Sequence, residues 1–127
     1  MDKNEKIYKV TIKETKGVCD TPLFRKMAEK GDLTSIKLQG IINTDVKING
    51  YASCTIETKD KTFDLFYFNT EEYELVSTGS SIFAESVKTY FGDCDSFKLV
   101  EIKTKNGKTY KAVPIISMKE ESENIEE

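Results

Sequence analysis

The stretch Phe97–Ile116, FKLVEIKTKNGKTYKAVPII, constrains the fold more than any other, because a β-hairpin accounts for all of it. Phe97, Leu99 and Glu101 alternate with Lys98, Val100 and Ile102, the period of two expected of a strand. Asn106-Gly107 is the strongest short-range hairpin signal, since a type I′ turn needs two central residues that tolerate positive φ. Tyr110, Ala112 and Pro114 then alternate with Lys111, Val113 and Ile115. Lys103, Lys105, Lys108 and Lys111 surround the turn, with Tyr110 among them. A two-stranded arm carrying cations and a ring can grip a polyanion, although an ordinary solvated hairpin has the same composition.

Upstream, Lys6–Glu14 alternates as a strand with one wet face. Thr21-Pro22 opens a helix as N-cap and first-turn proline, Leu23, Phe24, Met27 and Ala28 form its apolar stripe, and Gly31 ends it. Leu33–Asp45 reads as a long strand with Gly40 as a bend inside it. Asn49-Gly50 is a second turn signal, and Tyr51–Thr58 follows as a strand with Ala52, Cys54 and Ile56 on its core face. After a Lys59–Lys61 turn, Thr62–Asn69 carries aromatics on both faces, Phe63 and Tyr67 on one, Phe66 and Phe68 on the other. Asn69–Val76 is a connection. Ser77–Ser81 then leads into a helix over Ile82–Phe91, which Gly92 stops. One glycine and no following lysine make this entry a helix cap rather than a P-loop.

The order from Leu33 is strand, strand, strand, helix, strand, strand. The expected fold is therefore mostly β with two helices: a five-stranded OB-like barrel at 33–117, preceded by a strand–helix extension at 1–32 and followed by an acidic tail at 118–127. An SH3-like barrel or an α+β sheet with helices on one face has a similar string.

Charge sharpens the picture. The chain of 127 residues carries −3, yet the last nine residues hold one Lys against five Glu, leaving +1 on the rest. There is no His, which removes the commonest general base and metal ligand, so zinc sites and Ser-His or Cys-His catalysis are not expected. Cys19, Cys54 and Cys94 form no CxxC and read as free thiols. Asp60, Asp64, Glu71 and Glu72 fall in or beside turns with no nucleophile or base placed near them, so no enzyme and no cofactor is expected. With no apolar run near ~20 residues and no apolar leader, the expectation is a cytoplasmic protein without a membrane partner.

Barrels of this order bind oligonucleotides or oligosaccharides on the face of strands two and three and on the loops between strands one–two and four–five. That places Tyr51, Phe66, Phe68 and Tyr110 as candidate stacking rings, and Lys47, Lys103, Lys105, Lys108 and Lys111 as candidate phosphate contacts. The segment STGS, the amphipathic helix after it and FKLVEIKTKNGKTYKAV together resemble small phage-type single-stranded DNA-binding proteins of the OB class, at the level of pattern, over Ile36–Ile116. The resemblance implies non-catalytic binding of single-stranded DNA in a host cytoplasm, in the service of DNA replication. The tail, with Glu120, Glu121, Glu123, Glu126 and Glu127, is similar to the acidic tails that recruit replication or host proteins in that class. The chain departs from the class in having no Trp, and a tail that reads Glu126-Glu127 where bacterial members carry an apolar tip is expected to dock partners less well than theirs. The alternative is a phage-encoded protein-interaction or anti-defence module, an inhibitor of a host enzyme or a sponge for nucleotide signals, and either reading is compatible with a homo-oligomer.

Overall fold

The computed structural model describes residues 7–116, so the acidic tail at 118–127 lies outside the described residues. Seven strands and two helices follow one another as β1 (Ile7–Gly17), α1 (Pro22–Glu29), β2 (Ile36–Lys37), β3 (Asp45–Thr58), β4 (Thr62–Thr70), β5 (Glu74–Thr78), α2 (Ser81–Tyr90), β6 (Ser96–Thr104) and β7 (Gly107–Pro114). They form one mostly β sheet that curls into a half-barrel. Its path is β2-β5-β4-β3-β6-β7, with β1 paired to β3 off that path. No helix among the described residues is long and apolar enough to cross a membrane.

The helices form where capping chemistry directs. Thr21 Oγ1 accepts from the Phe24 N–H at 3.2 Å, and Pro22 fills the first helical position. At the other end Gly31 N–H donates to Ala28 O and Asp32 N–H to Met27 O, the two bonds of a Schellman close. Ser80 caps α2 in the same way, its Oγ accepting from Phe83 N–H at 3.1 Å.

Two cores lie on opposite faces of the sheet. One gathers Leu38, Val76, Phe68, Phe97 and Leu99 under α2, where the Phe68 and Phe83 rings meet edge-on at 4.9 Å. The other lies under α1 and gathers Cys19, Phe24, Ala52, Cys54 and Ile56, with Phe24 edge-on to Tyr67 at 6.2 Å. This second core is why Thr62–Thr70 needs aromatics on both faces.

Strand β3 serves both cores through a switch of parity. Val46 and Ile48 face the α2 core, whereas Ala52, Cys54 and Ile56 face the α1 core. An irregularity in the β3–β4 register between Ile48 and Gly50 makes the switch, since an extra residue in one strand flips every side chain after it. The partner on β3's other edge changes at the same place: β6 pairs with Asp45–Lys47, and β1 pairs from Gly50 to Thr58. Gly50 is required because the end of β1 presses on it. A Cβ there would lie 2.7 Å from the Val18 nitrogen and 2.8 Å from the Lys16 oxygen.

Several sequence expectations are corrected. Asn49-Gly50 is not a turn but the middle of a 14-residue strand. Leu33–Asp45 is not a long strand. It contains the two-residue β2 and a 3₁₀ turn over Leu38–Ile41, whose buried Leu38 and Ile41 sit three apart as that geometry dictates. The bend needed by the central strand therefore falls at Gly50 and not at Gly40. The connection at Asn69–Val76 holds the end of β4 and the start of β5. In the β6–β7 hairpin Thr104 pairs with Gly107, so Lys105 and Asn106 form the loop, and positive φ falls on Gly107 alone.

The sheet is not closed by hydrogen bonds between β5 and β7 among the described residues. The outer edge of β5 takes β2 in parallel, Ile36 beside Val76 and Lys37 beside Ser77. The outer edge of β7 is met by α2, where Ser86 Oγ accepts from Ala112 N–H at 2.9 Å. A seam is left between the end of β5 and the outer half of β7.

Candidate nucleic-acid interface

The β6–β7 hairpin leaves the sheet early. Strand β6 pairs with β3 only through Lys98, Leu99 adds two bonds to Asn43 and Thr44, and beyond it β6 has only β7 as a strand neighbour. Ser96–Pro114 carries five Lys against one Glu, a net charge of +4, while the rest of the chain carries −7. The register sorts these cations. Lys103 lies opposite Lys108, and Glu101 opposite Tyr110, all on the face that continues Leu99 and Ala112. Lys111 lies opposite Val100 on the other face, and Lys105 sits at the tip. Lys108 Nζ stands 3.8 Å from Glu101 Oε1, an exposed pair, and Lys103 has no carboxylate within 4 Å among the described residues.

The seam is built by this inner face and the α2 entry. Two adjoining depressions, of about 340 and 310 Å³, share Gly79, Ser80 and Tyr110. Tyr110 packs its base on the α2 core and is half-buried, so its ring is held while one part stays open to the seam. Ser80 Oγ lies 3.3 Å from Thr109 Oγ1 across the gap. Ser80 Oγ caps the Phe83 N–H, and Ala84 N–H bonds back to Ser80 O, which leaves the N–H groups of Ser81 and Ile82 without an intrahelical partner. Lys37 stands at one end of the seam and Lys108 at the other, and no carboxylate lines either depression.

Three of the four expected stacking rings are corrected to core. Phe66 and Phe68 are 8% and 2% exposed beneath α2. Tyr51 is 5% exposed, lies edge-on to Phe91 at 5.3 Å, and donates its hydroxyl to Glu14 Oε2 at 3.2 Å. Burial, with the Glu14 carboxylate beside it, pushes that hydroxyl up to about 12. Lys47 is also apart from the group. It pairs with Ser96, eight residues along β6 from the hairpin turn, which is ~26 Å of extended strand. Lys103, Lys108 and Tyr110 are brought together, with Lys105 at their edge. Glu120, Glu121, Glu123, Glu126 and Glu127 lie outside the described residues.

Sequence reasoning missed Lys37, Gln39 and Ile82, which line the seam. No local pattern marks them, because the seam joins segments far apart in the chain. It also missed Lys61, whose Nζ lies 5.2 Å from the Phe63 ring centre, at the turn joining β3 and β4. Among the described residues no group of three or more His, Cys, Asp or Glu side chains could hold a metal ion. No protein family, curated protein or solved structure matches the chain.

Proposed function

We propose that this protein is a non-catalytic binder of single-stranded nucleic acid, built on an opened OB-type barrel, that holds phosphate with its β6–β7 hairpin and stacks a base on Tyr110. The fold reading is supported by the path β5-β4-β3-β6-β7, with α2 inserted between β5 and β6 and a bent β3 pairing to both sides. The departure is the open seam, where β2 and α2 occupy the edges that closure would use. The observation that carries the functional reading is the hairpin itself. It gathers +4 on a chain whose remainder is −7, and extends past its last β3 partner with Tyr110 on its inner face. A held ring suits splayed bases, because every base has a π-face, and it has no use for a stacked duplex.

The test is a mobility-shift titration of labelled oligo-dT and of duplex across a salt series. Tight binding to oligo-dT that weakens with salt is expected, with little binding to duplex. The double variant Lys105→Glu/Lys108→Glu should lower the salt slope by about 0.7 for each phosphate that the hairpin no longer neutralises. No shift of oligo-dT at low salt removes the proposal.

A second reading, a protein-interaction module, has one observation in its favour. Val113, Ile115 and Ile116 leave the end of β7 as exposed apolar residues. It expects a stable homo-oligomer or a captured host protein, and no nucleic-acid affinity.

A further inference from the structure

We infer that the seam holds two successive nucleotides of a single strand, one in each depression beside Tyr110, and that Gln39 reads the base in one of them; this deepens the single-strand reading above and rests on it. The depressions, of about 310 and 340 Å³, each lie at the small end of the ~300–1,000 Å³ range of small-molecule sites, so neither holds more than one nucleotide-sized unit. They adjoin across the shared Tyr110 and Ser80, which fits neighbouring units of one strand rather than two independent ligands.

Their chemistry differs. The first offers apolar faces from Ile82 and Tyr110, hydroxyls from Ser81 and Thr109, and the cation of Lys108. Ile82 is 52% exposed on a helix whose Phe83, Ala84 and Val87 are buried, so it is an apolar side chain that the core does not use. A slot of this kind accepts any base, since stacking asks only for a π-face. The second depression holds Lys37 and the amide of Gln39. Gln39 is exposed on the 3₁₀ turn, and its amide has no hydrogen-bond partner among the described residues. An amide presents a donor and an acceptor side by side, the complement of the adenine N6/N7 edge. The first position is therefore base-neutral and the second prefers adenine.

Competition against labelled oligo-dT tests this, with thymidine mononucleotide, the four homodinucleotides and longer oligomers as competitors. A dinucleotide should compete roughly tenfold better than a mononucleotide, the size of one added polar contact from Lys37 or Gln39 in the second depression. Further nucleotides should add mainly salt-sensitive affinity. The adenine dinucleotide should lead, and Gln39→Ala should erase that lead while leaving the salt slope unchanged. Ile82→Glu, at an exposed position, should weaken every dinucleotide. The inference is overturned if mononucleotide and dinucleotide compete equally. It is also overturned if Gln39→Ala and Ile82→Glu change nothing while Lys105→Glu and Lys111→Glu weaken oligo-dT, in which case the hairpin binds and the seam does not. If oligo-dT itself is not bound, the single-strand reading falls and this inference with it.

Discussion

Replacing Gly50 with Ala tests the switch on which both cores depend. The new Cβ would stand 2.7 Å from the Val18 nitrogen, 2.8 Å from the Lys16 oxygen and 2.9 Å from the Cys19 nitrogen. All three are backbone atoms, so no side chain can swing aside. Relief requires the end of β1 to move, and that segment is tied down by Val18 N–H bonding to Asn49 O at 3.1 Å and by the buried Cys19. Overpacking typically costs 1–3 kcal/mol, and a clash with three fixed backbone atoms puts this case near the top, about 3 kcal/mol. For a chain of this size that lowers the melting temperature by roughly 10 °C, while leaving a folded protein if its total stability is of order 5–15 kcal/mol. Gly40→Ala is the control. No atom lies within 4 Å of the added Cβ, and its φ is not positive. It should be neutral or stabilising by up to about 1 kcal/mol, through the unfolded chain. Urea unfolding followed by circular dichroism measures both. Equal destabilisation, or a larger one for Gly40→Ala, would refute the placement of the bend.

Ser86→Ala removes the acceptor of the Ala112 N–H, a buried backbone donor, and should cost about 1–3 kcal/mol in the same unfolding assay, with Ser86→Thr recovering part of it. Glu14 joins three elements, bonding Lys88 at 3.0 Å and Tyr51 at 3.2 Å, and the Lys88 hydrogen bond holds its carboxyl below the usual value of 4.5. Its contribution to stability is therefore present above the ordinary glutamate range and is lost as pH falls through the lower folded value. A pH series of urea midpoints should show a smaller drop on the acid side for Glu14→Gln than for the parent. Burial pushes the Cys19 thiol to about 12 and the Cys54 thiol to about 11, while Cys94 is half-buried. A thiol reagent should thus modify Cys94 alone in the native protein and all three only on unfolding, and Cys94→Ser should abolish the native reaction.

What was legible in the sequence was local. The cap at Thr21, a cap somewhere within Ser77–Ser81, the turn at Lys59–Lys61 and the β6–β7 hairpin follow from chemistry contained within a few residues. Asn49-Gly50 misled because the same dipeptide serves a two-residue turn and a bulged strand. Only the crossing of β1, more than thirty residues earlier, decides between them. Phe66 and Phe68 misled for a related reason. Period-two alternation says that two faces differ but not that one is wet, and the second cover, α1, packs on the face of Phe63 and Tyr67. The candidate site was half legible. Lys103, Lys108 and Tyr110 share a face by counting residues back from Ala112, but Lys37, Gln39 and Ile82 join them only through the curl of the sheet.

The assignment of three rings to the core changes which force must dominate in the proposed function. Four stacking aromatics at ~1–3 kcal/mol each could hold a single strand with little help from charge. Tyr110 alone gives about one such increment, a factor of roughly 5–150 in affinity. Beyond Lys37 in the seam, the remainder must come from the hairpin, whose five lysines can reach a salt slope of at most about −3.5, or a weakening of roughly a hundredfold between 50 and 200 mM salt. The geometry trims this figure, since Lys111 faces away from Lys103 and Lys108, and Glu101 engages Lys108. A slope between about −2 and −3, with weak binding at high salt, is what this hairpin can deliver. Tight binding that ignores salt would need more apolar contact than Tyr110 and Ile82 supply in the seam, and would move the site to another part of the surface.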